Sequence, residues 1–179
     1  GVFDGDGHAI RNLRIEAKNR DYLGLFQTIL QGAEVRNLGV VDAYIEGLAS
    51  LGALASRNEG RVLNCYSTGA VKGSKAGGLV GVNTGAIADS NSTAAVSDGD
   101  CGGGLVGTND GTVSRCHSTG DVTGNGIVGG LAGISDGRID ACYCVAAVTD
   151  SGMGECIGGL VGQNCSTISF SYANTTVTS

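Results

Sequence analysis

Apolar and polar positions in this chain recur in short runs at a nearly constant spacing. The strings GALASRNEGRVLNCYSTGAV, GGLVGVNTGAIADSNSTAAV, GGLVGTNDGTVSRCHSTGDV, GGLAGISDGRIDACYCVAAV and GGLVGQNCSTISFSYANTTV align without internal gaps. Leu54, Leu79, Leu105, Leu131 and Leu160 mark the same place in each, at intervals of 25, 26, 26 and 29 residues. Val62, Ile87, Val113, Ile139 and Ile168 follow eight residues after the leucines, and Val71, Val96, Val122, Val148 and Val177 follow at seventeen. Length varies only between repeats, as at 150–157. Each unit holds about three short apolar runs divided by glycine or polar turns, with no 3.6-residue period long enough for a helix. Such a unit predicts one coil of a parallel β-helix, in which like residues stack from coil to coil. The expected fold is all-β: a parallel β-solenoid of about six to seven coils, forming a rod about 30 Å long at ~4.8 Å per coil.

The offsets assign roles within a coil. Asn58, Asn83, Asn109 and Asn164 lie four residues after the leucines, with Ser135 in the remaining repeat. Stacked asparagines at a solenoid corner bond amide to amide along the axis. Gly60, Gly85, Gly111 and Gly137 stand two residues further on, where a corner with φ > 0 would call for glycine. Ala55, Val80, Val106, Ala132 and Val161 directly follow the leucines. Strand alternation turns them away from the side the leucines face, as a flat apolar stripe that could meet a partner. If the strand instead bends at its glycines, both sets are covered.

Residues 1–50 are a variant of the same plan, with Asn-Leu pairs flanked by aliphatics, and residues 51–179 carry the five regular coils of one continuous domain. Gly1 falls inside a patterned segment, and Val177, Thr178 and Ser179 close the chain without a polar cap. The expectation is a trimmed product whose open end is continued by the parent chain or covered by another subunit.

Composition sharpens this picture. The 179 residues include 33 glycines and no proline. Collagen is excluded, because it needs regular Gly-X-Y spacing with abundant proline. Unbroken ladders explain the missing proline, since a central strand cannot spare its N–H. Aromatics are only 4%, so small aliphatics must fill the interior. The net charge of −6 and the absence of a basic run argue against nucleic acid as a partner. No apolar stretch approaches the ~18 residues of a membrane span, and no signal peptide is present.

Chemistry-bearing residues are few. The two histidines, His8 and His117, stand in no metal-binding or nucleotide-binding motif, so no metal or cofactor is expected. His117 shares its offset with Tyr66, Asn91, Tyr143 and Tyr172 and reads as a ladder residue. The run Asp4-Gly5-Asp6-Gly7-His8 lacks the further ligands of a calcium loop and reads as a turn. Asp98, Asp100, Asp110, Asp121, Asp136 and Asp140 could supply a carboxylate pair for glycoside cleavage. Asp110 and Asp136 share one offset in adjacent coils, but Glu59 and Thr84 occupy it elsewhere, which describes a polar turn. Cys65, Cys116 and Cys142 share an offset with Ser90 and Ser171, as a small inward ladder does. Cys116 and Cys142 lie in neighbouring coils and could form a disulfide, whereas Cys101 and Cys156 are two coils apart.

The strings G-G-L-V-G-x-N and C-Y-S-T-G-x-V, best preserved at 77–96 and 103–122, resemble the GLUG repeat of bacterial secreted and surface proteins. The segment from Phe3 to Ile15 is similar to the one that commonly precedes such repeats. The resemblance implies a right-handed parallel β-helix displayed outside the cell, in adhesin-like proteins or beside large secreted enzymes. The expected function is a non-enzymatic, extracellular structural or adhesive module, a stiff rod from a surface protein or a filament subunit. Its expected partners are copies of itself, other surface proteins or glycans. The alternative is a carbohydrate-binding or polysaccharide-degrading region of a secreted enzyme.

Overall fold

In the computed structural model, described for residues 1–152 and 156–178, every regular element is a β-strand. Three parallel sheets wrap one core. The first face stacks six strands, from Phe26–Ile29 through Ala55–Asn58, Val80–Asn83, Val106–Asn109 and Ala132–Ser135 to Val161–Asn164. The second stacks seven, from Val2–Asp4 to Ile168–Ser169, and the third is thirteen-stranded. Together they make a β-solenoid of about six turns.

Pairing follows the repeat offsets. Val80 pairs with Ala55 and Val106, and Ala132 pairs with Val161, so the ladder register equals the spacing of the leucines. Register slips between Val40 and Ala43, opposite Ser67 and Gly69 of the first regular repeat, and also between repeats, as between Glu46 and Ala49 and between Ser97 and Gly102. The variable lengths are absorbed there, and 153–155 of the 150–157 segment lie outside the described residues.

Leu54, Leu79, Leu105 and Leu131 are fully buried, as are Val71, Val122 and Val148, with Val96 nearly so. In the last coil Leu160 is half-buried and Val177 exposed. Val62, Ile87, Val113 and Ile139 complete the core, and Leu51, Ala76 and Val128 add a ladder three residues before the leucines.

The apolar stripe is corrected by this geometry. Ala55, Val80, Val106 and Ala132 are as buried as the leucines they follow, and Val161 is half-buried. The amides of Leu79 and Val80 both donate to the Leu105 carbonyl, at 3.0 and 3.1 Å. The backbone therefore turns a corner at each leucine, and alternation restarts beyond it. Consecutive side chains can then share the interior.

The glycines of G-G-L-V-G answer to close approach. A Cβ at Gly103 would overlap the Val106 carbonyl, and one at Gly104 the carbonyl of Gly130. A Cβ at Gly107 would crowd the Lys75 backbone. Ser56 takes this third glycine position in its coil, and its buried Oγ has no hydrogen-bond partner. Ser56→Ala should therefore raise stability by about 1 kcal/mol, because it removes a desolvated hydroxyl that bonds nothing. Chemical denaturation of the two proteins side by side measures this.

A second correction concerns Gly60, Gly85, Gly111 and Gly137, none of which has positive φ. A Cβ at each would overlap a backbone carbonyl of the coil beneath, as Gly111 does with Gly85. The left-handed corner lies ten residues after the leucines, at Asn64, Asp89, Arg115, Ala141 and Phe170, with φ between 49° and 51°.

Candidate functional site

The asparagine ladder is internal architecture. The Asn58 Nδ2 donates to Asn83 Oδ1 at 2.8 Å, Asn83 Nδ2 to Asn109 Oδ1 at 2.8 Å, and Asn109 Nδ2 to Ser135 Oγ at 3.2 Å. The exposed Asn164 instead donates to the Ser166 carbonyl at 2.6 Å. The ring ladder also forms: His117 stacks on Tyr143 with centroids 4.7 Å apart, and Tyr143 on Tyr172 at 5.3 Å. Burial holds the His117 imidazole below its ordinary pKa. Rings so stacked cover one another's faces and offer edges to the outside.

Cys116 and Cys142, a possible disulfide by their spacing, are free thiols. The side chains run parallel. Cys116 Sγ donates to the Ser114 carbonyl at 3.1 Å and Cys142 Sγ to the Asp140 carbonyl at 3.2 Å. The Cys116 amide in turn donates to Cys142 Sγ at 3.4 Å. Burial pushes the Cys65 thiol up to about 11; the hydrogen bond between Cys116 and Cys142, together with burial, raises Cys116, and the same bond lowers Cys142. Alkylation needs access to the sulfur, so a neutral solution of alkylating reagent should label the exposed Cys165 first and half-buried Cys156 next. Cys65, Cys116, Cys142 and Cys144 should react only after unfolding. Mass spectrometry of timed samples reads the order, and a protein lacking free thiols at Cys116 and Cys142 would refute it.

The candidate acids do not converge. Asp110 and Asp136 are exposed corner residues, Asp121 accepts from the Ala147 amide, and Asp140 accepts from Ser169 and Arg138. The Asp98 side chain lies outside the described residues. Asp100 lines a groove.

That groove was not anticipated from the repeats. Immediately after the core valines, the third face presents an outward row: Glu16 pairs with Glu46, Glu46 with Lys72 and Lys72 with Ser97. Thr123, Thr149 and Thr178 continue it. Where the register slips beside this row, the backbone leaves a groove of about 330 Å³, lined by Lys18, Glu46, Leu48, Lys72, Ser74 and Asp100. The Glu46 side chain is 12% exposed. Its Oε1 lies 3.5 Å from Lys18 Nζ and 3.7 Å from Lys72 Nζ, while Oε2 accepts from the Tyr44 hydroxyl at 3.2 Å. Burial alone would raise the Glu46 carboxyl. The Tyr44 hydroxyl and the two ammonium groups outweigh it and hold the carboxyl below its usual range. Arg14 lies over the Tyr44 ring, 4.6 Å from its centroid, and steadies that donor. Opposite, Ser74 Oγ donates to Asp100 Oδ2 at 2.9 Å. Two ammonium groups face two carboxylates, so the groove carries donors and acceptors with no net charge.

Residues 98–123, spanning one register slip and the coil that follows, match the family model for the GLUG motif. This segment carries the GLUG motif. The chain is 35% identical over 99 residues to halomucin from Haloquadratum walsbyi, a match covering 55% of the chain and 1% of halomucin. A crystal structure of a candidate immunoglobulin A1 protease from Bacteroides ovatus superposes on the GLUG solenoid with a TM-score of 0.78 at 24% identity. That match covers 98% of this chain and 61% of the other. A second structure, described as IgA1 protease, gives 0.74 at 21% identity and covers 94% of this chain and 15% of its own. The chain thus spans less than two thirds of each of these three proteins, and at these identities the two structures establish the shared solenoid fold.

The expectation that the chain is not an enzyme is corrected by the same comparison. Of the two solved structures compared above, one is described as a candidate immunoglobulin A1 protease and the other as IgA1 protease. The solenoid is therefore part of proteins named for catalysis, and its architecture is no ground for setting enzymatic activity aside.

Proposed function

We propose that this chain is an extracellular β-solenoid rod that stiffens and presents a larger surface or secreted protein. The observation carrying the reading is the axial continuity of the ladders. Amides of Leu79, Leu105 and Leu131 each donate to the leucine carbonyl one coil on, at 3.0, 2.9 and 2.8 Å. Each coil buries its neighbour's backbone, so load along the axis is shared by many bonds in parallel. The 35% identity to a segment of halomucin, itself about a hundred times longer than the matched share, supports placement within a very long protein. An enzyme named for immunoglobulin A1 meets that antibody outside cells, which supports the same compartment. Antibodies against this chain should label intact, unpermeabilised source cells or their medium. Signal seen only after permeabilisation would overturn the extracellular reading.

The two protease-named structures support a second reading, in which the rod is an accessory region of a secreted enzyme. Incubating the purified chain with immunoglobulin A1 separates the cases. Cleavage would place activity on the solenoid itself, and intact antibody would leave the enzyme reading to the rest of the parent protein.

A further inference from the structure

We propose that the groove between Lys18, Glu46, Leu48, Lys72, Ser74 and Asp100 binds one or two rings of an uncharged hexose glycan. The proposal deepens the adhesive side of the extracellular-rod reading and rests on it. The groove's volume of about 330 Å³ lies at the lower end of small-ligand sites. Charge selects against other ligands. An acidic sugar would meet Glu46 and Asp100, and a cationic group would meet Lys18 and Lys72.

A ring bearing a hydroxyl on most carbons needs acceptors and donors on both sides, and this lining supplies both. Glu46 and Asp100 accept, Lys18 and Lys72 donate, and Ser74 Oγ, whose proton is given to Asp100, offers a further acceptor. The lysines sit 3.5 and 3.7 Å from Glu46 Oε1, so a hydroxyl lying beside either pair can accept from the ammonium and donate to the carboxylate. Leu48, 54% exposed, offers an apolar surface to the C–H face of a ring.

The lining is held in place. Tyr44 and the two lysines orient Glu46, and the Ser74 hydroxyl orients Asp100. From Lys72 the outward row continues through Ser97, Thr123 and Thr149, one hydroxyl per coil at ~4.8 Å spacing. A glycan anchored in the groove could run up the rod along this row. Glu46 and Lys72 belong to this same row, while Lys18, Ser74 and Asp100 come from the segments between repeats.

Isothermal titration against maltohexaose, cellohexaose, mannohexaose and a β-1,3-glucan hexaose, with trigalacturonate as the acidic counterpart, tests this. At least one uncharged hexaose should bind with a Kd below about 10 mM, and trigalacturonate should not. Glu46→Gln and Asp100→Asn should each weaken binding about tenfold or more, while Asp110→Asn, at a distant corner, should leave it unchanged. Absence of saturable heat from all four uncharged probes would overturn the site. So would preferred binding of trigalacturonate, or affinity that survives both groove variants. Circular dichroism and melting of each variant report folding separately. A folded rod that binds no glycan loses the groove proposal alone, whereas intracellular confinement in the labelling experiment removes the rod reading instead.

Discussion

Gly111→Ala should destabilise the solenoid by about 3 kcal/mol, a large effect for one added methyl group. The new Cβ would overlap the carbonyl oxygen of Gly85 in the coil below. The collision is with backbone, so no side-chain rotation relieves it. The Gly111 amide shares the Asn83 carbonyl with Asp110, at 3.1 and 2.7 Å, and the Thr112 amide donates to Gly85 at 2.9 Å. Moving apart to admit the methyl group strains all three bonds. Urea titration checks the magnitude. Because φ at this glycine is not positive, the penalty comes from contact alone. A change below about 0.5 kcal/mol, the range of ordinary surface substitutions, would contradict the close-approach account.

Asn83→Ala should cost a similar amount, about 3 kcal/mol, for a different reason. Asn83 is fully buried, accepts from Asn58 and donates to Asn109, both at 2.8 Å. Alanine strips one partner from each neighbour. Each orphaned polar group costs ~1–3 kcal/mol, and Asn58 recovers part through its 3.2 Å bond to the Ala86 carbonyl. Asn164→Ala, in the exposed copy of the same position, should change stability by less than about 0.5 kcal/mol. Equal effects at the two sites would mean that the asparagines act locally at their own corners and not as a ladder.

Much of the fold was legible in the sequence because a solenoid core repeats its demands. A leucine that must stack on the leucine of the next coil keeps the same offset, and the ladder pairs of Val80 and Ala132 reproduce those offsets. Features set by local backbone geometry were not legible. Alternation predicted that Val80 and Val106 face outward, yet the corner at each leucine restarts the pattern and buries them. Glycine at position 111 suggested positive φ, but steric closeness selects it, and the left-handed corner falls on residues as unlike as Asn64, Arg115 and Phe170. A spacing of one coil made Cys116 and Cys142 candidates for a bond, but their parallel side chains each reach a carbonyl of their own coil.

The groove escaped notice for a related reason. Lys18, Leu48, Ser74 and Asp100 lie in segments that vary between repeats, where alignment carries no information. One signal was present: the position directly after the core valines reads Lys72, Ser97, Thr123, Thr149 and Thr178, an uninterrupted polar row. The function-bearing chemistry of this rod therefore sits where the repeat is least regular.

Residue-resolved hydrogen exchange in the native state tests the central claim, an axially continuous set of ladders, most directly. The amides of Leu79, Leu105 and Leu131 bond from coil to coil. They should be among the slowest to exchange and should share one opening free energy, equal to that of global unfolding. Exchange of these three amides at widely different rates, or close to the unprotected rate, would contradict a continuous rod.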